Sequence, residues 1–192
     1  MKKLVLASQS PSRYWILNNL GVKFEVCPSN YKEDMSLSLS PEDLAIHLSR
    51  GKAKDVAKKY SNAVIVAADS FALFQGRLLG KPHSLAKARA MLKALSNNTH
   101  TFITGFTLID TTTGQEISDS CQTVVHFRYL STQAIDDYLD SEDVLGYAGA
   151  YKIQGKGRLL VDKIDGDFYN VVGLPISNIA PHLKRFGIDL FS

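Results

Sequence analysis

The chain has 192 residues, 45% of them hydrophobic and 21% charged, which is ordinary globular composition and excludes collagen-like, coiled-coil and wholly disordered classes. Its 22 Lys and Arg against 19 Asp and Glu give a net charge of +3. The basic excess lies early, ten against six in residues 1–60 and seven against nine in residues 121–192, a bias that suits a small polyanion and falls short of the dense basic stripe of a nucleic-acid binder.

Residues 3–8 read as a buried strand, and residues 11–20 as a helix with Pro11 in its first turn. A short strand over 24–28 is followed by a polar, irregular stretch over 29–40. Ser40-Pro41-Glu42-Asp43 combines an N-cap, a proline at the first helical position and acids behind it, so a helix runs from there to about Tyr60. Residues 63–68 form a continuous β-rich run, expected of a strand covered on both faces and ending at Asp69. Residues 71–79 read as a hairpin turning at Gln75-Gly76, and Ser84 caps a helix to Leu95. Strands over 101–109 and 116–129 join at Thr113-Gly114; Ser131 caps a helix to about Leu139. A strand over 158–164 and a helix over 176–186 complete the chain. Alternating elements with several strands close enough to pair as hairpins imply a layered α/β fold with a mixed β-sheet flanked by helices, expected as one domain over 1–192.

No apolar run approaches the roughly 18–20 residues of a membrane span, and residues 4–7 are too short for a signal-peptide core, so a cytoplasmic protein without a membrane partner is expected. Cys27 and Cys121 have no CxxC partner and read as two separate, partly buried thiols. There is no GxxxxGK[ST] loop and no GxSxG elbow, and the five histidines never occur as HxH or HxxxH.

What remains is phosphate chemistry at strand ends and loops. Ser8, Ser10, Ser12 and Arg13 surround the start of the first helix, where free N–H groups and a partial positive charge attract anions; the plainer reading is a serine-rich cap with a solvated arginine. Asp69 follows a β-rich run directly. A carboxylate there can hold a divalent cation or accept a proton from water, or simply cap a turn. Ser70 and Gly80-Lys81-Pro82 add polar groups to the same rim. Lys52 lies beside the apolar stripe of its helix, four residues from Leu48 and from Val56, so it either snorkels or reaches a phosphate in a cleft. Glu33 and Asp34 are metal-ligand candidates or solvated acids of a polar loop. In 146–157, four glycines, Tyr147, Tyr151 and Gln154 offer close backbone approach, stacking surfaces and a group that both donates to and accepts from a base edge, or else a tight helix-to-strand connection.

LASQSPSR (6–13), GKAK (51–54), AADS (67–70), GKP (80–82), TFITGF (101–106), AGAYKIQGKG (148–157) and GDFYNVVGLPIS (166–177) stand in an order that resembles the Maf family of nucleoside triphosphate pyrophosphatases over essentially the whole chain. The resemblance implies hydrolysis of a nucleoside triphosphate between its α and β phosphates, a divalent cation (Mg²⁺ or Mn²⁺), and two lobes around a deep cleft, related in architecture to inosine-triphosphate pyrophosphatases. It also implies a homodimer. It matches Asp69 to the general base, Glu33 and Asp69 to the metal site, and Ser8, Ser10, Arg13, Lys52 and Lys81 to the phosphates. Ser12, Ser70 and Gln154 fall on positions that set base preference. Ser12 and Ser70 replace the Arg and Thr usual in the dTTP/UTP branch, whose pattern Gln154 keeps. The 7-methyl-GTP branch usually carries Trp and Glu at positions 12 and 154, although VHFRYLS (125–131) is closer to that branch. The alternatives are a nucleotide-binding regulator of cell division, which needs no water-activating acid, and a nucleic-acid binder, which the charge distribution disfavours.

Overall fold

The computed structural model describes residues 2–191. One seven-stranded mixed sheet organises them, in the order β2-β1-β3-β5-β6-β7 with β4 paired to β3. The strands are β1 (Lys3–Leu6), β2 (Glu25–Val26), β3 (Ala63–Phe74), β4 (Arg77–Leu79), β5 (Thr99–Asp110), β6 (Glu116–Phe127) and β7 (Val161–Asp165). The helices are α1 (Pro11–Asn19), α2 (Pro41–Ala57), α3 (Leu85–Leu95), α4 (Thr132–Ser141), α5 (Phe168–Val172) and α6 (Ile176–Arg185). The pairs β1–β2 and β1–β3 are parallel, and the remaining pairs are antiparallel. No helix among the described residues is long and apolar enough to cross a membrane.

Alternation along the strands divides the core. Val5, Ile65, Ala67, Phe71 and Ile103 point to the face covered by α2, through Leu44, Leu48, Ala53 and Val56. Leu6, Val64, Val66, Phe102, Phe106 and Leu108 point to the other face, packed by Leu17 of α1, Leu92 of α3, Ile135 of α4, Val171 of α5 and Leu183 of α6. Serine N-caps do the local work: the hydroxyls of Ser40, Ser84 and Ser131 each accept the backbone N–H three residues on.

Four expectations are corrected. The strand expected to end at Asp69 runs on to Phe74, because β5 pairs with it without interruption from Val64 to Leu73; Asp69 is mid-strand, opposite Gly105. The hairpin turn at Gln75-Gly76 stands, both residues at positive φ (49° and 74°), but its first arm is the end of β3. The helix α2 stops at Ala57, three residues early. The strand expected from 158 begins at Val161, because Lys156–Leu160 winds into a 3₁₀ turn. The short helix α5 is an addition, capped by Asp167, whose carboxylate accepts the N–H groups of Tyr169 and Asn170.

The long β3 creates the cleft. Its β5 edge is paired throughout, whereas its other edge is shared by β1, at 63–66, and β4, at 72–74. Between them the edge of β3 has no strand neighbour among the described residues, and Asp69 sits in the middle of that gap. The turn after β1 borders it on one side. The segment after β4 borders it on the other, and Gly149 N–H donates to Gly80 C=O (3.3 Å) to bring the 146–154 loop to that side.

Candidate active site

A cavity of about 480 Å³ fills this gap, and Ser8, Ser10, Ser12, Arg13, Glu33, Lys52, Asp69, Ser70, Lys81 and Gln154 all line it. Residues scattered over 147 positions of sequence thus share one concave surface, with three cationic side chains against two carboxylates.

The turn into α1 gathers hydroxyls, an arginine and free helix N–H groups in one place. Ser8 Oγ accepts the Ser10 N–H (3.1 Å) and an Arg13 Nη1–H (3.2 Å), which folds the chain back at the end of β1. Ser10 is the N-cap, but its hydroxyl accepts no cap hydrogen bond and so remains available. Pro11 has no N–H, and the first-turn N–H groups of Ser12 and Arg13 have no intrahelical acceptor.

Asp69 is buried, and both of its oxygens are engaged: Oδ1 accepts the Ser70 N–H (2.9 Å) and Oδ2 accepts from Lys52 Nζ. The same ammonium pairs with Glu33 Oε1 at 2.7 Å, so the two carboxylates converge on one cation position. The Asp69 and Lys52 side chains are only 10% and 14% exposed, so this electrostatic contact is poorly screened. Lys52 reaches it because α2 covers the sheet face to which Asp69 points.

Arg13 does not reach freely into solvent. Nε donates to Gly173 C=O (2.7 Å), Nη1 to Ser8 and Nη2 to Ser70 Oγ (3.1 Å). Burial pulls its pKa below the ordinary guanidinium value, while the charges of Asp69 and Glu33 push the other way. Lys81 is exposed on the far rim, with no hydrogen bond or ion pair to it among the described residues. Gln154 Nε2 donates to Ser12 Oγ (2.8 Å), bringing into contact across the cleft two of the positions that the resemblance ties to base preference.

Of the two tyrosines singled out in 146–157, Tyr147 is half-buried on the cavity wall. Tyr151 is 4% exposed, its ring edge-on to Phe127 and its hydroxyl 3.0 Å from His100 Nε2. Asp34 accepts from Ser36 and does not line the cavity. Cys27 and Cys121 are separate free thiols, both half-buried. Sequence reasoning missed Thr104, Asn170 and Gly173, which support Arg13 from behind. They lie in TFITGF and GDFYNVVGLPIS, segments with no charge or metal ligand at those positions to draw notice.

No group of three or more His, Cys, Asp or Glu that could hold a metal occurs among the described residues. Glu33 and Asp69 nonetheless offer hard carboxylate oxygens to a single cation position, and Mg²⁺ is commonly held by one or two carboxylates plus substrate phosphates and water. The donor set therefore fits a divalent ion that arrives with a phosphorylated ligand.

The sequence profile of the family described as Maf-like protein matches residues 3–186. A dTTP/UTP pyrophosphatase of Methanococcoides burtonii is 42% identical over 192 residues, covering 100% of this chain and 98% of that one. A dTTP/UTP pyrophosphatase of Alkaliphilus oremlandii is 44% identical over 191 residues, covering 99% and 100%. Among solved structures, the Ham1 protein of Staphylococcus aureus overlaps 66% of this chain and 72% of its own, at 14% identity and a TM-score of 0.44.

Proposed function

The chain belongs to the Maf family, and on that footing we propose that it is a nucleoside triphosphate pyrophosphatase that cleaves dTTP or UTP to the monophosphate and pyrophosphate. The observation that carries the reading is the convergence of Asp69, Glu33, Lys52, Arg13 and Lys81 on one cleft beside an open helix N-terminus. A triphosphate is the small polyanion that such a surface fits.

In this reading the hydroxyls of Ser8 and Ser10 and the first-turn N–H groups of α1 receive phosphate oxygens. Arg13, Lys52 and Lys81 balance the charge that builds on the departing pyrophosphate. Asp69 orients the attacking water and accepts its proton, at the oxygen now held by Lys52; the lysine ammonium then turns to phosphate. Glu33 and Asp69 would hold the divalent ion, which supplies Lewis-acid stabilisation of the phosphate oxygens. Opposite the phosphates, Gln154 has committed one N–H to Ser12 and keeps an acceptor and a second donor. That pair matches the N3–H and O4 of uracil or thymine. The proposal extends to a single domain over 1–192, a cytoplasmic location and a homodimer, the last read directly by light scattering.

The test is product identification. With Mg²⁺ or Mn²⁺, dTTP and UTP should yield monophosphate and pyrophosphate in equal amounts, faster than the purine triphosphates do. Orthophosphate with nucleoside diphosphate, or no turnover of any triphosphate, would refute it.

A further inference from the structure

Arg13 is held by a chain of hydrogen bonds that runs away from the cleft into the core. Its Nη2 donates to Ser70 Oγ (3.1 Å), Ser70 Oγ lies 2.9 Å from Thr104 Oγ1, and Thr104 Oγ1 lies 3.1 Å from Asn170 C=O. Ser70 and Thr104 face each other because β3 and β5 pair them directly. Thr104 and Asn170 are 0% exposed.

The direction of every proton in this chain follows from donor counting. A carbonyl only accepts, so the single hydrogen of Thr104 goes to Asn170 C=O. Thr104 must then accept from Ser70, whose own hydrogen is thereby committed. Ser70 has only lone pairs left, and one of them takes the Arg13 N–H. The Ser70 hydroxyl consequently has no hydrogen to offer a ligand in the cavity.

The far end is fixed as firmly. Asn170 Nδ2 donates to Phe102 C=O and to Thr123 Oγ1, both at 3.0 Å, which pins α5 to β5 and β6. Three residues later Gly173 ends that helix at φ 114° and offers its C=O to Arg13 Nε. A Cβ there would make only ordinary contacts, 3.4 Å to Ser70 Oγ and 3.7 Å to Arg13 Nε, so it is the positive φ that favours glycine. Arg13 is thus clamped at both Nε and Nη2 by one buried network.

We propose that Ser70, Thr104 and Asn170 are positioning residues that form a one-directional hydrogen-bond relay setting the orientation of Arg13, and that Ser70 acts on the phosphate end of the substrate rather than on the choice of base. The proposal rests on the pyrophosphatase reading for its substrate and on the geometry alone for the relay. Ser12 and Gln154 are left to carry base preference.

The experiment compares Ser70→Ala, Thr104→Val and their combination with Ser70→Thr and Thr104→Ser, which keep the hydroxyls. Two readouts are used: kcat/KM for dTTP, UTP and GTP, and hydrogen-exchange protection of the Arg13 Nε–H by NMR in the nucleotide-free protein, its resonance assigned by its loss in Arg13→Lys. Ser70→Ala and Thr104→Val should each lower kcat/KM on the order of tenfold to a hundredfold for all three nucleotides alike. The double variant should be little worse than the poorer single one, because both cut one chain. Both should exchange the Arg13 Nε–H at least about tenfold faster than wild type, and the hydroxyl-preserving variants should restore both quantities. Should Thr104→Val fail to fold, Ser70→Ala, at a half-buried site, decides the matter. A changed nucleotide preference in Ser70→Ala with Arg13 still protected would overturn the proposal, as would wild-type protection and turnover in Thr104→Val. If the wild-type protein hydrolyses no triphosphate, the functional reading falls and the exchange data alone uphold or overturn the relay.

Discussion

Replacing Gly105 by alanine probes the spacing between α2 and the sheet, on which the Lys52–Asp69 contact depends. Gly105 is the direct partner of Asp69 in the sheet and faces α2. A Cβ there would stand 2.2 Å from the backbone carbonyl carbon of Ala45 and 2.4 Å from the backbone nitrogen of Ile46. Both are main-chain atoms, so no side-chain rotation relieves the clash. Ordinary contact begins near 3.4 Å, so helix and strand must part locally by about 1 Å. Such overpacking costs about 1–3 kcal/mol. Lys52 lies two turns further along the same helix and moves with it, away from Asp69 and Glu33. A misplacement of about 1 Å in a catalytic arrangement can cost on the order of 10²-fold in rate. Urea unfolding and steady-state pyrophosphate release, measured on the same preparation, read both effects. Gly114→Ala is the control: that glycine has positive φ (74°) with nothing within 4 Å of a Cβ, so the change should cost about 1 kcal/mol of stability and leave turnover intact. Wild-type stability and turnover in Gly105→Ala would refute the claim that helix–sheet spacing sets the site.

Asp69→Asn should lower turnover by about 10²–10⁴-fold, the usual worth of general-base assistance, with circular dichroism unchanged. Lys81→Ala, on the exposed rim, should reduce kcat/KM for dTTP, UTP and GTP in equal proportion; a shift in base preference alone would move Lys81 to the base pocket. Burial holds the His100 pKa down at about 4, against an ordinary value near 6.5. The folded state therefore binds fewer protons than the unfolded chain between these values. Its contribution is complete above pH 6.5 and is lost as pH falls toward 4, about 3 kcal/mol in all. Urea unfolding at pH 7 and pH 4 should show wild type losing that much more than His100→Phe, and parallel losses in the two proteins would contradict the assignment.

Elements were legible wherever a local signal was strong. Serine caps, the Gln75-Gly76 turn and the β-rich runs act over a few residues, and the structure follows them to within a few positions. The end of β3 was misread because Asp69 and Ser70 interrupt its apolar run; the sheet overrides them, since β5 supplies partners through Leu73. The five-residue α5 offered too few positions for any periodicity to appear. The site residues were legible as chemical types, but not their partners. Nothing near Glu33 in sequence announces that it shares an ammonium with Asp69.

Residue order alone specifies which groups are present and which short segments carry them: the serines and arginine at the start of α1, the lysine on α2, the carboxylate in β3, and the glycines that let the chain turn. What those groups do to one another came with the packed fold. It left a gap in one edge of β3, turned Asp69 toward Lys52 and Ser70 toward Thr104, and bound Arg13 to the carbonyl of Gly173, 160 residues away. The physical reason is range. Capping and turn preferences are settled within one turn of chain, whereas hydrogen-bond partners across a sheet depend on register and on which helix covers which face, and those are fixed when the whole core packs.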